Sequence, residues 1–404
     1  MRNLYEVSSW SAGSRGWLLV QKLTVLSLPA LLVSCTPLRI QFQDPQSDTD
    51  WSIEGRTIRR DRVAADIPVN LPIEQAWIYN AGAGFSSGSP LVVSDLIFVG
   101  TRKGEVHVIE LATGDKVGVE EFGSSIEGVP AVVGQTLFVP NAWGKNALIA
   151  FDLFEGVRLW EHRGVPIEAS VLPVRDVVIV GDVEGNVISL DRATGTIRWV
   201  YEFEQIATIL SGPTAISEDR IVVVNELGDV VYLAVEDGTE VWASSLREPV
   251  QESIATDQRH VYIPTTRGSF YALDAETGEK NWEYRLPNEG IRFTGAAVSP
   301  RMAVFGGSDG VLRALDPNDG TVIWTFQTDG TFAAPPAISG ELVFVGSMDR
   351  GFFALSAYDG SVQWSTTLRG RIKSAPAIRK GFVIVMSEPK YVYAFANVEA
   401  IAGL

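Results

Sequence analysis

A chain of 404 residues whose only cysteine is Cys35 has no intrachain disulfide and no thiolate metal cluster. Its formal charge of −16 argues against a nucleic-acid groove, which needs clustered Lys and Arg, and fits a surface that repels anions and draws basic partners. With 46% hydrophobic and 20% charged residues the composition is globular, while 38 glycines and 11 tryptophans point to many turns and periodic aromatics.

Residues 1–34 carry Arg2, Arg15 and Lys22 against Glu6, and they end in the apolar run LTVLSLPALLVS over 23–34. That run is too short to span a bilayer, and a basic segment followed by a short apolar one describes a secretory signal. Leu32-Val33-Ser34-Cys35 resembles a bacterial lipobox, which implies that Cys35 is lipidated and becomes the mature N-terminus. Several acyl chains on one residue give durable attachment where one chain holds marginally. In the sorting systems this resembles, a residue other than aspartate after the cysteine, here Thr36, permits transport to the outer membrane, with the chain facing the periplasm.

Residues 35–70 are polar, with QDPQSDTD early and EGRTIRRDR later, and they lack apolar periodicity. They read as a flexible tether between lipid and domain. The domain is expected over 71–404.

From residue 106 a thirteen-residue pattern returns seven times, among them VISLDRATGTIRW (187–199), FYALDAETGEKNW (270–282) and LRALDPNDGTVIW (312–324). Its turn glycines, Gly114 to Gly360, recur roughly every 40 residues, the spacing of stacked or radial repeats. Each unit reads as a strand, a Gly turn and a second strand ending on Trp. A further strand pair precedes each, such as SPLVVSDLIFVG (89–100). Four short antiparallel strands per repeat make a propeller blade. Trp160, Trp199, Trp242, Trp282, Trp324 and Trp364 share one column, filled by Gly118 in the first repeat. A large indole there covers the junction between blades while its N–H finds a carbonyl.

The last unit, VYAFANVEAIAGL (392–404), stops before its Trp, whereas Gln75 to Tyr79 form a short strand with Trp77 at the right place and no blade of its own. Pairing the two closes the ring and removes an open edge. The expected fold is all-β, an eight-bladed propeller of four-stranded antiparallel blades, with Trp77 in the closing strand.

The ALDAETGEKNW-like segments resemble the repeats of pyrroloquinoline-quinone-type propellers, and Asp50-Trp51, Gly55-Arg56 and Ala76-Trp77 are similar to that superfamily's opening segment. Two branches are implied: quinone-dependent dehydrogenases, and non-catalytic lipoproteins resembling the outer-membrane assembly factor BamB. The enzymes hold quinone and calcium in the funnel, often beside adjacent cysteines, which are absent here, and their chains carry long insertions. Lipobox, length, eight blades and the lack of a catalytic set match the second branch. That resemblance implies no cofactor, a monomeric propeller, and as partners the β-barrel assembly machinery and unfolded barrel clients. The alternatives are a quinone-dependent oxidoreductase and a periplasmic sensor or ligand-binding lipoprotein.

Relatives of the second branch often dock through an Arg-containing loop and an acidic loop on neighbouring blades. At those positions stand Ile206-Ala207-Thr208-Ile209-Leu210, without arginine, and Arg247-Glu248-Pro249-Val250-Gln251-Glu252. Aligned inner strands place Ser87, Glu127, Glu168, Gly212, Gln251, Thr294, Ala333 and Lys373 in one column around a channel mouth. Candidate partner or funnel residues are thus Glu127, Glu168, Gln251, Lys373, Arg247, Glu248 and Glu252. His107, His162 and His260 lack metal-ligand spacing, no metal site is expected, and no Ser-His-Asp, paired-carboxylate or phosphate-loop set occurs.

Overall fold

Four short antiparallel strands recur eight times around a central channel, and no helix occurs among the described residues. The computed structural model describes residues 37–42, 47–64, 68–287 and 290–397. The expected signal segment, residues 1–34, and Cys35 lie outside them.

Blade 1 runs from Leu91–Val93 to Lys116–Glu121, and blades 2 to 7 start at Ala131, Leu172, Thr214, Ala255, Ala297 and Ala337. In each, the first strand lies innermost and the fourth outermost. The middle strands are buried along their length, as in blade 3, where Val177–Gly181 is buried throughout. The outermost strands alternate, because one face packs inward and the other meets solvent.

Blade 8 has three strands of its own, Ala377–Arg379, Phe382–Ser387 and Tyr391–Asn397. Its fourth is Ile73–Asn80, antiparallel to the last, with Trp77 opposite Ala394 and Tyr79 opposite Val392. The front of the domain thus completes its end, and no blade is left open.

The tryptophan column does what its position requires. Six indole N–H groups of the column donate to a backbone carbonyl of the next blade: Trp77 to Leu111 (2.9 Å), Trp160 to Arg192 (3.0 Å), Trp199 to Val235 (2.9 Å), Trp242 to Ala275 (3.2 Å), Trp282 to Pro317 (3.0 Å) and Trp324 to Ala357 (3.1 Å). Each ring also lies over the turn glycine of that blade, so tightly that a Cβ on Gly320 would come within 2.6 Å of the Trp282 ring. Trp364 packs edge-on against Phe352 and Phe395.

A second glycine set positions the loops between blades. Gly100, Gly181, Gly306 and Gly346 end second strands, and a Cβ there would strike Ile126, Ile209, Phe332 and Ile372 of the following loop at 2.2–2.9 Å. The loops that follow these four blades are therefore each pinned by one apolar side chain pressed into a slot that only glycine leaves open.

The expectation of a flexible tether over 35–70 needs correction where that stretch is described. Trp51 is fully buried, and Leu38, Ile40, Ile53, Arg60 and Arg62 are buried too. The chain from Pro37 onward belongs to the same compact unit as the propeller. The cause is the channel itself, whose innermost strands present unpaired backbone groups that need partners.

Candidate functional site: a plugged channel and its mouth

Residues 50–64 supply those partners. Trp51 exchanges two backbone hydrogen bonds with Val92 of blade 1 (2.8 and 2.9 Å), and the Ser52 carbonyl accepts from Val132 of blade 2. The carbonyls of Ile58, Arg59, Asp61 and Arg62 accept from Ala215, Thr256, Val298 and Ile338, in blades 4, 5, 6 and 7. Val63–Ala64 then add a short parallel strand inside blade 7. Asp50 pairs with Arg379 of blade 8 at 2.8 Å. Arg60 donates to the carbonyls of Ser170, on the loop entering blade 3, and Pro213. One segment thus touches all eight blades and plugs the channel.

The plug turns sharply at Gly55, whose φ of 72° suits glycine and whose Cβ, if present, would lie 2.7 Å from the Arg60 Cα. This brings Glu54 between Arg60 and Arg62, both about 1% exposed, and its carboxylate bonds both guanidiniums, Arg62 at 2.8 Å. Burial disfavours the charged form of Glu54, yet the two arginines and the hydroxyls of Ser170 and Ser253 hold its carboxyl below the usual range. Arg62 also donates to the Ala296 carbonyl at 3.0 Å.

Above the plug, the channel mouth is a cavity of about 80 Å³ lined by Glu54, Ser87, Glu127, Glu168, Gly212, Gln251, Glu252 and Ala333 among others. Burial and the neighbouring charge of Glu127 push the Glu168 carboxyl up. Glu127 itself accepts from the Ser125 hydroxyl at 2.8 Å and pairs with Arg102 at 3.4 Å. Burial pushes Glu252 up to about 7, the Glu54 charge adds to this, and Arg292 and Arg62 oppose it.

The mouth therefore gathers Ser87, Glu127, Glu168, Gly212, Gln251 and Ala333 of the aligned column but not the other two. Thr294 is buried, its hydroxyl donating to the Gly295 carbonyl and accepting from the Gly306 amide, both at 3.0 Å. Lys373 is drawn to Glu388 at 2.8 Å, which Arg371 also pairs at 2.9 Å. Burial works against the charge on Glu388, but these two cations hold its carboxyl low.

The two loops named as docking positions separate into exposed and structural residues. In the first, Ile209 and Ala207 are buried, which leaves Ile206 85% exposed at the tip, more than any other large apolar side chain among the described residues. In the second, Arg247 is exposed. Glu248, expected as a partner-binding group, turns inward and accepts from Thr265 (2.9 Å), Ser269 (3.3 Å) and Arg285 (2.7 Å). Glu252 faces the channel and not the loop surface. The sequence reading missed Glu54, Arg60 and Arg62. The only signals were Trp51 and Gly55 within a stretch rich in charge.

A quinone site does not fit these residues. Four carboxylates, Glu54, Glu127, Glu168 and Glu252, crowd a space with room for a few waters, whereas pyrroloquinoline quinone is itself a polyacid. Among the described residues no cluster of His, Cys, Asp and Glu is arranged to hold a metal ion.

Comparison with known proteins agrees with the pattern of blades. The profile of the family described as outer membrane protein assembly factor BamB matches residues 74–208, 184–306 and 308–401. The chain belongs to the BamB family. Within it, the BamB of Burkholderia pseudomallei is 24% identical over 273 residues, 63% of this chain and 69% of that one. The BamB of Kangiella koreensis is 26% identical over 175 residues, 40% of this chain and 43% of its own length. Among solved structures, BamB from Moraxella catarrhalis superposes with a TM-score of 0.69 at 17% identity, covering 81% of this chain and all of that one. A quinohemoprotein alcohol dehydrogenase from Comamonas testosteroni gives 0.74 at 15% identity, over 86% and 80%. At such identities these structures share the propeller fold with this BamB-family chain, and the site must be argued from its own residues.

Proposed function

We propose that this protein is a non-catalytic lipoprotein of the outer membrane that works in the assembly of β-barrel proteins, anchored through acylated Cys35 and facing the periplasm. Membership of the BamB family supports the assembly role. The observation that carries the non-catalytic reading is the plug, because the channel in which a propeller would hold a cofactor is filled by the chain's own residues 50–64. What remains for recognition is the surface of inter-blade loops around the acidic mouth.

On that surface Ile206 offers an isolated apolar anchor, held on a loop whose neighbours Ala207 and Ile209 are locked in the core. A rigidly presented apolar side chain ringed by polar groups is the composition of an interface hot spot. Gln251, Glu127 and Glu168 at the mouth supply a polar rim for a partner carrying basic groups, and Arg247 on the next inter-blade loop adds an exposed cation for an acidic group of that partner.

The test is affinity purification of the full-length protein from crosslinked membranes, comparing the wild type with Ile206→Asp and Cys35→Ala. Barrel-assembly components should accompany the wild type and be reduced at least tenfold in both variants. Recovery of the wild type with no membrane-protein partner would refute the proposal.

A further inference from the structure

One junction between blades is built without a tryptophan. Between blades 1 and 2 the tryptophan position is Gly118, and residues 37–40 do the work of the missing indole. Leu38 fills the space that the ring occupies elsewhere: a Cβ on Gly118 would meet its Cδ1 at 2.4 Å, and one on the turn glycine Gly156 would meet Leu38 O and the Arg39 side chain at 2.9 Å and Pro37 at 3.3 Å. The backbone N–H of Ile40 donates to the Leu153 carbonyl at 2.6 Å, the place in blade 2 that corresponds to the indole acceptors of the other blades. The N–H of Leu38 donates to Glu120 at 3.0 Å, and both Leu38 and Ile40 are buried.

This docking sets how close the propeller stands to its anchor. Only Thr36 separates Cys35 from Pro37, and two virtual bonds of the backbone reach at most about 8 Å. A lipidated Cys35 would therefore keep the blade 1–blade 2 junction within a short reach of the bilayer surface. The side chains around this junction suit that place. Phe154 (49% exposed) and Val157 (49%) flank Gly156 on the same turn, and Leu159 (47%) follows on the outermost strand of blade 2. Apolar side chains of this kind gain by entering the boundary between headgroups and acyl chains.

We infer that the Phe154–Val157 turn and the adjoining Pro37–Ile40 segment form a membrane-contact surface that lays the propeller on the bilayer by one edge. The inference rests on the acylation of Cys35 put forward above. It also has an orientational consequence. The outermost strand of blade 2, Val157–Arg163, starts at this turn and ends at the loop into blade 3, so the inter-blade loops lie at the opposite end of the blade. Ile206 and the acidic mouth then point away from the lipid, toward the periplasm.

The test uses the mature full-length protein in vesicles of phosphatidylethanolamine and phosphatidylglycerol, with the N-terminal peptide weighed by mass spectrometry. Once Cys35 carries its lipid, a Phe154→Cys or an Ile206→Cys variant holds one free thiol for an environment-sensitive dye. Nitroxide-labelled lipids should quench the dye at position 154 at least fivefold more than at 206. Equal quenching at the two positions in an acylated protein would overturn the orientation and leave the anchor standing. An unacylated mature N-terminus would overturn both.

Discussion

Replacing Glu54 by glutamine removes the carboxylate that Arg60 and Arg62 share, at almost constant shape. Both guanidiniums are about 1% exposed, so neither gains water in exchange. Stripping the partner from a buried ion pair costs about 3–5 kcal/mol, and the lower end applies here because the carbonyls of Ser170, Pro213 and Ala296 still accept from the arginines. Loss of about 3 kcal/mol raises an opening equilibrium roughly a hundredfold. The opening is local, since the plug meets the blades through separate backbone bonds and the blades keep their own ladders. Native-state hydrogen exchange reads it directly: the amides of Ala215, Thr256, Val298 and Ile338, which donate to plug carbonyls, should exchange about a hundredfold faster in Glu54→Gln. Amides inside blade 4, such as those of Ile221 and Val223, should not change. Unaltered protection at the four plug-facing amides would refute the claim that this ion pair holds the plug.

Other perturbations follow from the same structure. Trp282→Ala removes a buried indole and its bond to Pro317 and should cost about 3–5 kcal/mol in urea unfolding, against within about 0.5 kcal/mol for Val322→Ala on the exposed wall. For Glu252, burial lifts the folded-state value to about 7, above the ordinary range, so the bound proton stabilises the fold fully below about pH 4.5, and that stabilisation is lost as pH rises through 7. Glu252→Gln should therefore match the wild type at pH 4.5 and exceed its stability at pH 8 by up to about 3 kcal/mol, read as a higher thermal midpoint. Deleting Ile73–Asn80 strips the closing strand from blade 8 and should abolish the cooperative unfolding transition. Gly118→Trp competes with Leu38 for its slot and should speed tryptic cleavage at the exposed Arg39 at least tenfold, without changing the circular dichroism of the blades.

The blades were legible because their period leaves little choice: Gly turn and Trp at fixed offsets force hairpins whose rings land on the next blade's glycine. Closure by Gln75 to Tyr79 followed from one surplus Trp and one missing strand. Glu127, Glu168 and Gln251 reached the mouth because strand register carries over from repeat to repeat. Register does not say where a long side chain turns. Lys373 leaned to Glu388, and Glu248 turned to Thr265, Ser269 and Arg285, partners that the fold brings from other segments. The plug was hidden for a related reason. EGRTIRRDR looks like a solvated charged stretch, since the innermost strands' need for backbone partners exists only once the ring has formed. Leu38 and Ile40, two apolar residues without periodicity, carried no local signal, and Gly118 became informative only beside them.

The account stands on the inter-blade loop surface being where this protein meets its partners. Photocrosslinking in intact cells, with a photoreactive residue at Ile206 and a control at Val322 on the outer wall of blade 6, tests this most directly. The expected result is adducts with outer-membrane barrel-assembly proteins from position 206 and none from 322. No adduct at 206, or equal adducts at both positions, would contradict it.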